Sequence, residues 1–171
     1  MKKIAVIGSG GSGKSTFARS LDGKLGIGVH HLDALLWKPG WEPTAKAEQR
    51  HIQQQLIEKD SWIIDGNYNG TLEMRLTAAD TIIFLDMPRI LCLYRVIKRR
   101  WQFRRKPRTD MAVGCKEKIN LDFLRWVWQY PHTKRPGVLD MLYNLSAEKT
   151  IIILDSPRKV QAFLDKLPVE K

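Results

Sequence analysis

Gly8-Ser9-Gly10-Gly11-Ser12-Gly13-Lys14-Ser15-Thr16 fits the pattern G-x-x-x-x-G-K-[ST], and its flanks decide how it is read. The apolar run Ile4-Ala5-Val6-Ile7 before it reads as a buried strand, and Phe17, Ala18, Leu21 and Leu25 after it recur at helical spacing. A glycine-rich turn between strand and helix points successive backbone N–H groups into one concavity, where they and the helix N-terminus hold phosphate oxygens. Lys14 then reaches the β- and γ-phosphates of a nucleoside triphosphate, and the Ser15 hydroxyl reaches a magnesium ion. The expected ligands are therefore ATP and Mg2+, with the nine residues from Gly8 to Thr16 as the phosphate cradle.

A chain of 171 residues, 43% of them hydrophobic, suffices for one well-buried core and is short for two. It lacks a run of roughly 18 apolar residues, and its first apolar stretch is too short for a secretion signal. Cys92 and Cys115 have neither disulfide-framework nor metal-type spacing. These features lead to the expectation of a soluble, cytoplasmic single domain over residues 1–171 with no membrane partner. The net charge of +11 is concentrated: nine of the 29 basic residues lie between Arg89 and Arg108, with no acidic residue among them. The other 20 are nearly balanced by 18 acids, so the charge is one patch and needs one explanation.

Strand and helix patterns alternate along the chain. Strands are expected at Val29 to Leu32, Trp62 to Ile64, Thr81 to Leu85 and Thr150 to Leu154. A helix from Thr44, as N-cap, to Lys59 lies between the second and third strands. The basic stretch reads as a helix with Ile90, Tyr94, Ile97 and Trp101 as its buried stripe. A second apolar helix carries Phe123 to Trp128 and is broken by Pro131 and Pro136, and a closing helix follows Ser156-Pro157. Such alternation indicates a parallel sheet with helices on both faces, in which ligands bind beyond the C-terminal strand ends. Asp33, Asp65, Asp86 and Asp155 sit at those ends, where they either repel one another, meet Mg2+, bind substrate or serve as turn residues. Trp37 and Trp41 either stack on a base or sugar or pack as a lid over core.

The chain resembles the adenylate-kinase-like family of small phosphate-loop kinases over nearly its whole length. The resemblance rests on the N-terminal phosphate loop, on Trp62-Ile63-Ile64-Asp65-Gly66, on Arg95 and Arg99 seven and eleven residues after Pro88, and on the proline-containing loop after the last strand. The strings His31-Leu32-Asp33, Trp37-Lys38-Pro39-Gly40-Trp41, Asp65-Gly66-Asn67-Tyr68 and Leu91-Cys92-Leu93-Tyr94-Arg95 further resemble bacterial proteins labelled topology modulation proteins. The kinase resemblance implies a three-layer α/β/α fold with a five-stranded parallel sheet in the order 2-3-1-4-5 and a basic lid near residues 95–118. It also implies that Asp65 serves the Mg2+ shell, Arg95 lies against adenine, Arg99 lies near the transferred phosphate, and Ser156-Pro157-Arg158 closes over the base. Asn67-Tyr68-Asn69 replaces that family's Phe-Pro-Arg, which leaves Arg75 as the nearest acceptor-side cation. Asp33 resembles the strand-end aspartate that binds an acceptor hydroxyl in shikimate and gluconate kinases.

Two functions follow. In the first, ATP phosphorylates a small molecule or nucleotide, with Lys14, Arg95 and Arg99 on the phosphoryl group and Asp33, Trp37, Tyr68 and Arg75 on the acceptor. In the second, the basic helix tracks DNA, with Trp101 and Phe103 stacked on bases. The basic residues sit where a kinase lid belongs, and the chain shows no signature of a DNA-binding motif, so the first is favoured. Arg104, Arg105 and Arg108 are either solvated or part of the lid.

Overall fold

The computed structural model describes residues 1–103, 110–112, 114–115 and 120–168. Arg104, Arg105, Lys106 and Arg108 of the expected lid lie outside the described residues. Five strands form a wholly parallel sheet: β1 (Lys3–Gly8), β2 (Val29–His31), β5 (Trp62–Asp65), β6 (Thr81–Leu85) and β7 (Thr150–Leu154). Their order is β2-β5-β1-β6-β7, which is 2-3-1-4-5 when these five are counted among themselves. Residues β3 (Trp37–Lys38) and β4 (Glu42–Pro43) make a separate antiparallel hairpin that sequence patterning did not foresee.

Alternation along each strand divides the core. Ile4, Val6, Ile63, Ile83 and Leu85 face one side, where they meet α1 (Lys14–Leu25) through Phe17, Ala18 and Leu21, and α8 (Pro157–Lys166) through Leu164. Ala5, Ile7, Ile64, Ile82 and Phe84 face the other, against α3 (Lys46–Ile57), α4 (Leu72–Ala78) and α7 (Arg135–Leu145). Two helices, α5 (Arg89–Gln102) and α6 (Leu121–Thr133), pack on each other and complete the layers. Phe17 and Leu21, at 3% and 0% exposure, each contribute about 2 kcal/mol of burial that fixes α1 on the sheet. The phosphate loop is thereby mounted on two rigid elements.

Several local expectations are corrected by packing. Thr44 does not cap α3; its buried hydroxyl donates to the Leu36 carbonyl at 3.0 Å, closing the base of the hairpin, and the helix starts at Lys46. Pro131 does not break α6, which runs on to Thr133, while Pro136 sits in the first turn of α7, where proline is tolerated.

The largest correction concerns α5. Ile90, Tyr94, Ile97 and Trp101 are not its buried stripe: they are 71%, 58%, 52% and 82% exposed, and Cys92 and Val96 face inward instead. The cause is the phosphate loop beneath. Gly11 adopts φ +77, and a Cβ there would lie 2.2 Å from the Cys92 carbonyl oxygen, so the helix approaches too closely for large side chains on that face. On the other flank, a Cβ at Gly10 would lie 2.5 Å from Phe123 of α6. These glycines permit helix packing as well as phosphate access. Because Trp101 is solvated, Trp101→Gln is expected to change unfolding free energy by no more than about 0.5 kcal/mol in a denaturant titration.

Candidate active site

A cavity of about 960 Å3 opens beyond the C-terminal strand ends, where β1, β5 and β2 deliver their loops side by side. Gly10 to Thr16 line it, together with Asp33, Trp37, Asp65, Asn67 and Tyr68 from the β2 and β5 ends, and Arg95, Lys98 and Arg99 from α5. Gly8 and Ser9 do not line the cavity, but they shape it. The Asn67 amide donates to the Gly8 carbonyl and accepts from the Gly8 N–H, continuing the β1–β5 ladder with a side chain in place of a peptide.

Lys14 folds back within the loop and donates to the Gly8 and Ser9 carbonyls at 3.0 and 2.8 Å. Burial lowers its pKa, against the opposing pull of Asp65 and then Asp33. A buried ammonium with only carbonyl partners among the described residues is stabilised further by any anion brought to the loop. Ser12 Oγ is buried beside Gly8 without a hydrogen-bond partner among the described residues. Arg95 donates to the Ser12 carbonyl at 2.9 Å and lies beside Gly13, so this cation sits on the loop itself.

Asp65 is 4% exposed. Its Oδ2 accepts from His31 Nδ1 at 2.9 Å, and its Oδ1 is buried without a hydrogen-bond partner among the described residues. An orphaned carboxylate oxygen beside a phosphate loop fits a hydrated divalent cation, with Ser15 as the second candidate ligand; both residues line the cavity.

On the other wall, Tyr68 donates its hydroxyl to Asp33 Oδ1 at 3.0 Å, with Trp37 lining the cavity nearby. Burial, followed by the nearby Asp33 charge, raises the Tyr68 pKa, so the phenol remains a donor at any physiological pH. Trp37 lines the cavity and meets Trp41 edge to face at 5.6 Å. The Ala112 N–H donates to the Asp33 carbonyl at 3.3 Å, and Gly114 approaches Pro39, so these two residues of the expected lid region rest on this wall.

Arg75 is the clear departure from expectation. It is 1% exposed and does not reach the cavity. Its guanidinium donates to Gln53 Oε1, to Thr71 Oγ1 at 2.9 Å and to the Gly66 carbonyl at 3.0 Å; burial pushes its pKa down to about 10. It holds the Gly66–Tyr68 turn from below. Arg158 is exposed and away from the cavity, whereas Pro157 lines it. The feared mutual repulsion of four strand-end aspartates is relieved one by one: Asp33 by Tyr68, Asp65 by His31, Asp86 by a bidentate pair with Arg135 at 2.8–2.9 Å, and Asp155 by Lys159 at 2.6 Å. Asp86 and Asp155 thus have structural partners, as aspartates at strand ends often do.

Sequence reasoning missed His31 and Asn67. Strand alternation puts His30 and His31 on opposite faces of β2, and the partner of His31 depends on which strand lies alongside.

No family model and no curated protein matches this chain. Among solved structures, the chain is similar to deoxyadenosine kinase from M. mycoides with bound dATP, at 15% identity, 97% and 98% coverage of the two chains, and a TM-score of 0.52. It is similar also to a sugar kinase from Janibacter sp. HTCC2649, at 16% identity, 96% and 93% coverage, and a TM-score of 0.50. Neither comparison supports the topology-modulation label. With its phosphate loop between β1 and α1 and its parallel sheet, the chain has the fold of phosphate-loop kinases.

Proposed function

We propose that this protein is a kinase that moves the γ-phosphoryl group of ATP, with Mg2+, to a hydroxyl of a small molecule. The observation that carries the reading is the Asp33–Tyr68 pair, set across one cavity from Lys14, Arg95 and Arg99. ATP supplies the phosphoryl group and Mg2+ screens its charge. The loop N–H groups and Lys14 bind the phosphates; Arg95 and Arg99 compensate charge that grows on the transferred group. Asp33 orients the acceptor hydroxyl and takes its proton as the oxygen bonds to phosphorus and ADP departs. Tyr68, fixed as a donor, holds Asp33 in one orientation, and Trp37 offers an aromatic edge to the acceptor.

Arg75 is committed to the fold, so among the described residues the wall formed by the β2 and β5 ends offers Asp33, Trp37, Asn67 and Tyr68 and no cation. This favours an acceptor without a phosphate of its own. The alternative, DNA binding by α5, loses Arg95 and Arg99 to the cavity, while Phe103 also turns toward it.

The test is transfer of labelled γ-phosphate to a panel of nucleosides, nucleoside monophosphates, sugars and hydroxy acids. Transfer to an acceptor hydroxyl, reduced by roughly 10²–10³-fold in Lys14→Ala, is the expected result. Hydrolysis alone, with every acceptor ignored, overturns the reading.

A further inference from the structure

His31 does not line the cavity, yet it touches the residue there that most resembles a cation-shell ligand. Strands β2 and β5 are parallel, with His31 in register with Asp65, and side chains in register on neighbouring strands share a face. The two meet at 2.9 Å with side chains 13% and 5% exposed. A carboxylate only accepts, so the proton of this bond sits on His31 Nδ1, and the bond occupies Asp65 Oδ2. Asp65 Oδ1 is then the oxygen without a hydrogen-bond partner among the described residues, and Asp65 is the carboxylate with the strongest pull on Lys14.

We infer that His31 is a positioning residue: its Nδ1–H fixes the rotation of the Asp65 carboxylate and so decides which oxygen is presented to the hydrated cation that accompanies a nucleotide. This inference rests on the proposed nucleotide site. A carboxylate without such an anchor rotates about its terminal torsion, which is broad, and divides its population between orientations. Anchors of this kind around ligating carboxylates and histidines typically change metal affinity 10–100-fold when removed. His31 acts through Asp65 and touches no reacting atom. His30, on the opposite face of β2, lies 3.4 Å from Lys59 and takes no part.

The experiment compares His31→Leu with His31→Asn. The two replacements have nearly the same shape, but only the amide has an N–H at the position of Nδ1. ADP binding is measured calorimetrically with Mg2+ and again with a chelator, and thermal melts check folding. The expected result is that His31→Leu weakens Mg2+·ADP binding about 10-fold, with metal-free ADP binding unchanged, while His31→Asn stays near the parent protein. A double change with Asp65→Ala then shows no further loss from His31→Leu. Equal Mg2+·ADP affinity in the two variants, or equal losses with and without metal, overturns the inference. If His31→Leu fails to fold, His31→Ala replaces it under the same criteria. Failure of the parent protein to bind ADP in any condition overturns the nucleotide-site reading itself, and this inference with it.

Discussion

Asp33→Asn is expected to slow phosphoryl transfer by roughly 10²–10⁴-fold while leaving ATP binding in place. The two side chains have the same shape, and the amide oxygen can still accept from the Tyr68 hydroxyl, which lies 3.0 Å from Asp33 Oδ1. What the change removes is the negative charge and the ability to take a proton from the acceptor. Steady-state kinetics with saturating ATP, paired with nucleotide titration, separate the two effects. A variant that loses ATP affinity and turnover together would place Asp33 on the donor side. A variant with unchanged turnover would reduce it to a residue of the short helix α2 (Leu32–Leu35). Tyr68→Phe is the milder companion: it loses one hydrogen bond to Asp33 and is expected to lower turnover with a smaller factor, since the carboxylate remains.

Arg75→Met is expected to cost about 3 kcal/mol or more of unfolding free energy. Methionine fills most of the space, but Thr71 Oγ1 and the Gly66 carbonyl lose the guanidinium as donor, and Gln53 Oε1 keeps only the Thr71 hydroxyl, all of them in the buried ground beneath the turn. Leaving buried acceptors unpaired costs about 1–3 kcal/mol each, with partial relief from relaxation. Lysine does not restore the loss, because the three bonds use the planar fork of a guanidinium and an ammonium cannot reach all of them. Denaturant unfolding of the two variants checks this. Were Arg75 an acceptor-binding cation, the same change would raise the acceptor KM and leave stability nearly intact. The two roles therefore give opposite patterns in two simple measurements.

Much of the phosphate-loop side of the cavity was legible along the chain because it is local. The phosphate loop and its flanking strand and helix span residues 3–25, and glycine spacing, lysine position and helical periodicity all act within that segment. Arg95 and Arg99 of α5, singled out in the sequence by their spacing from Pro88, line the same cavity as the phosphate loop. The outward turn of Ile90, Tyr94, Ile97 and Trp101 was not legible. A helix with apolar residues on two faces does not reveal which face is buried, and here the answer depends on backbone atoms of Gly11, some eighty residues earlier in the chain.

The wall at the β2 and β5 ends shows the same division more sharply. Sequence alone determined that this is an alternating α/β chain built on a phosphate loop, that its charge is one basic patch, and that Asp33, Asp65 and Tyr68 fall at strand ends. Those are consequences of local propensity, periodicity and composition. Only the tertiary structure decided that Asp65 is held by His31, that Asn67 completes a strand ladder at Gly8, and that Arg75 supports a turn from within the core while Tyr68 and Asp33 meet in the cavity. The reason is the order of the strands: β2 and β5 lie side by side although a hairpin and two helices separate them in the chain, and hydrogen bonds between side chains follow that adjacency, not sequence distance.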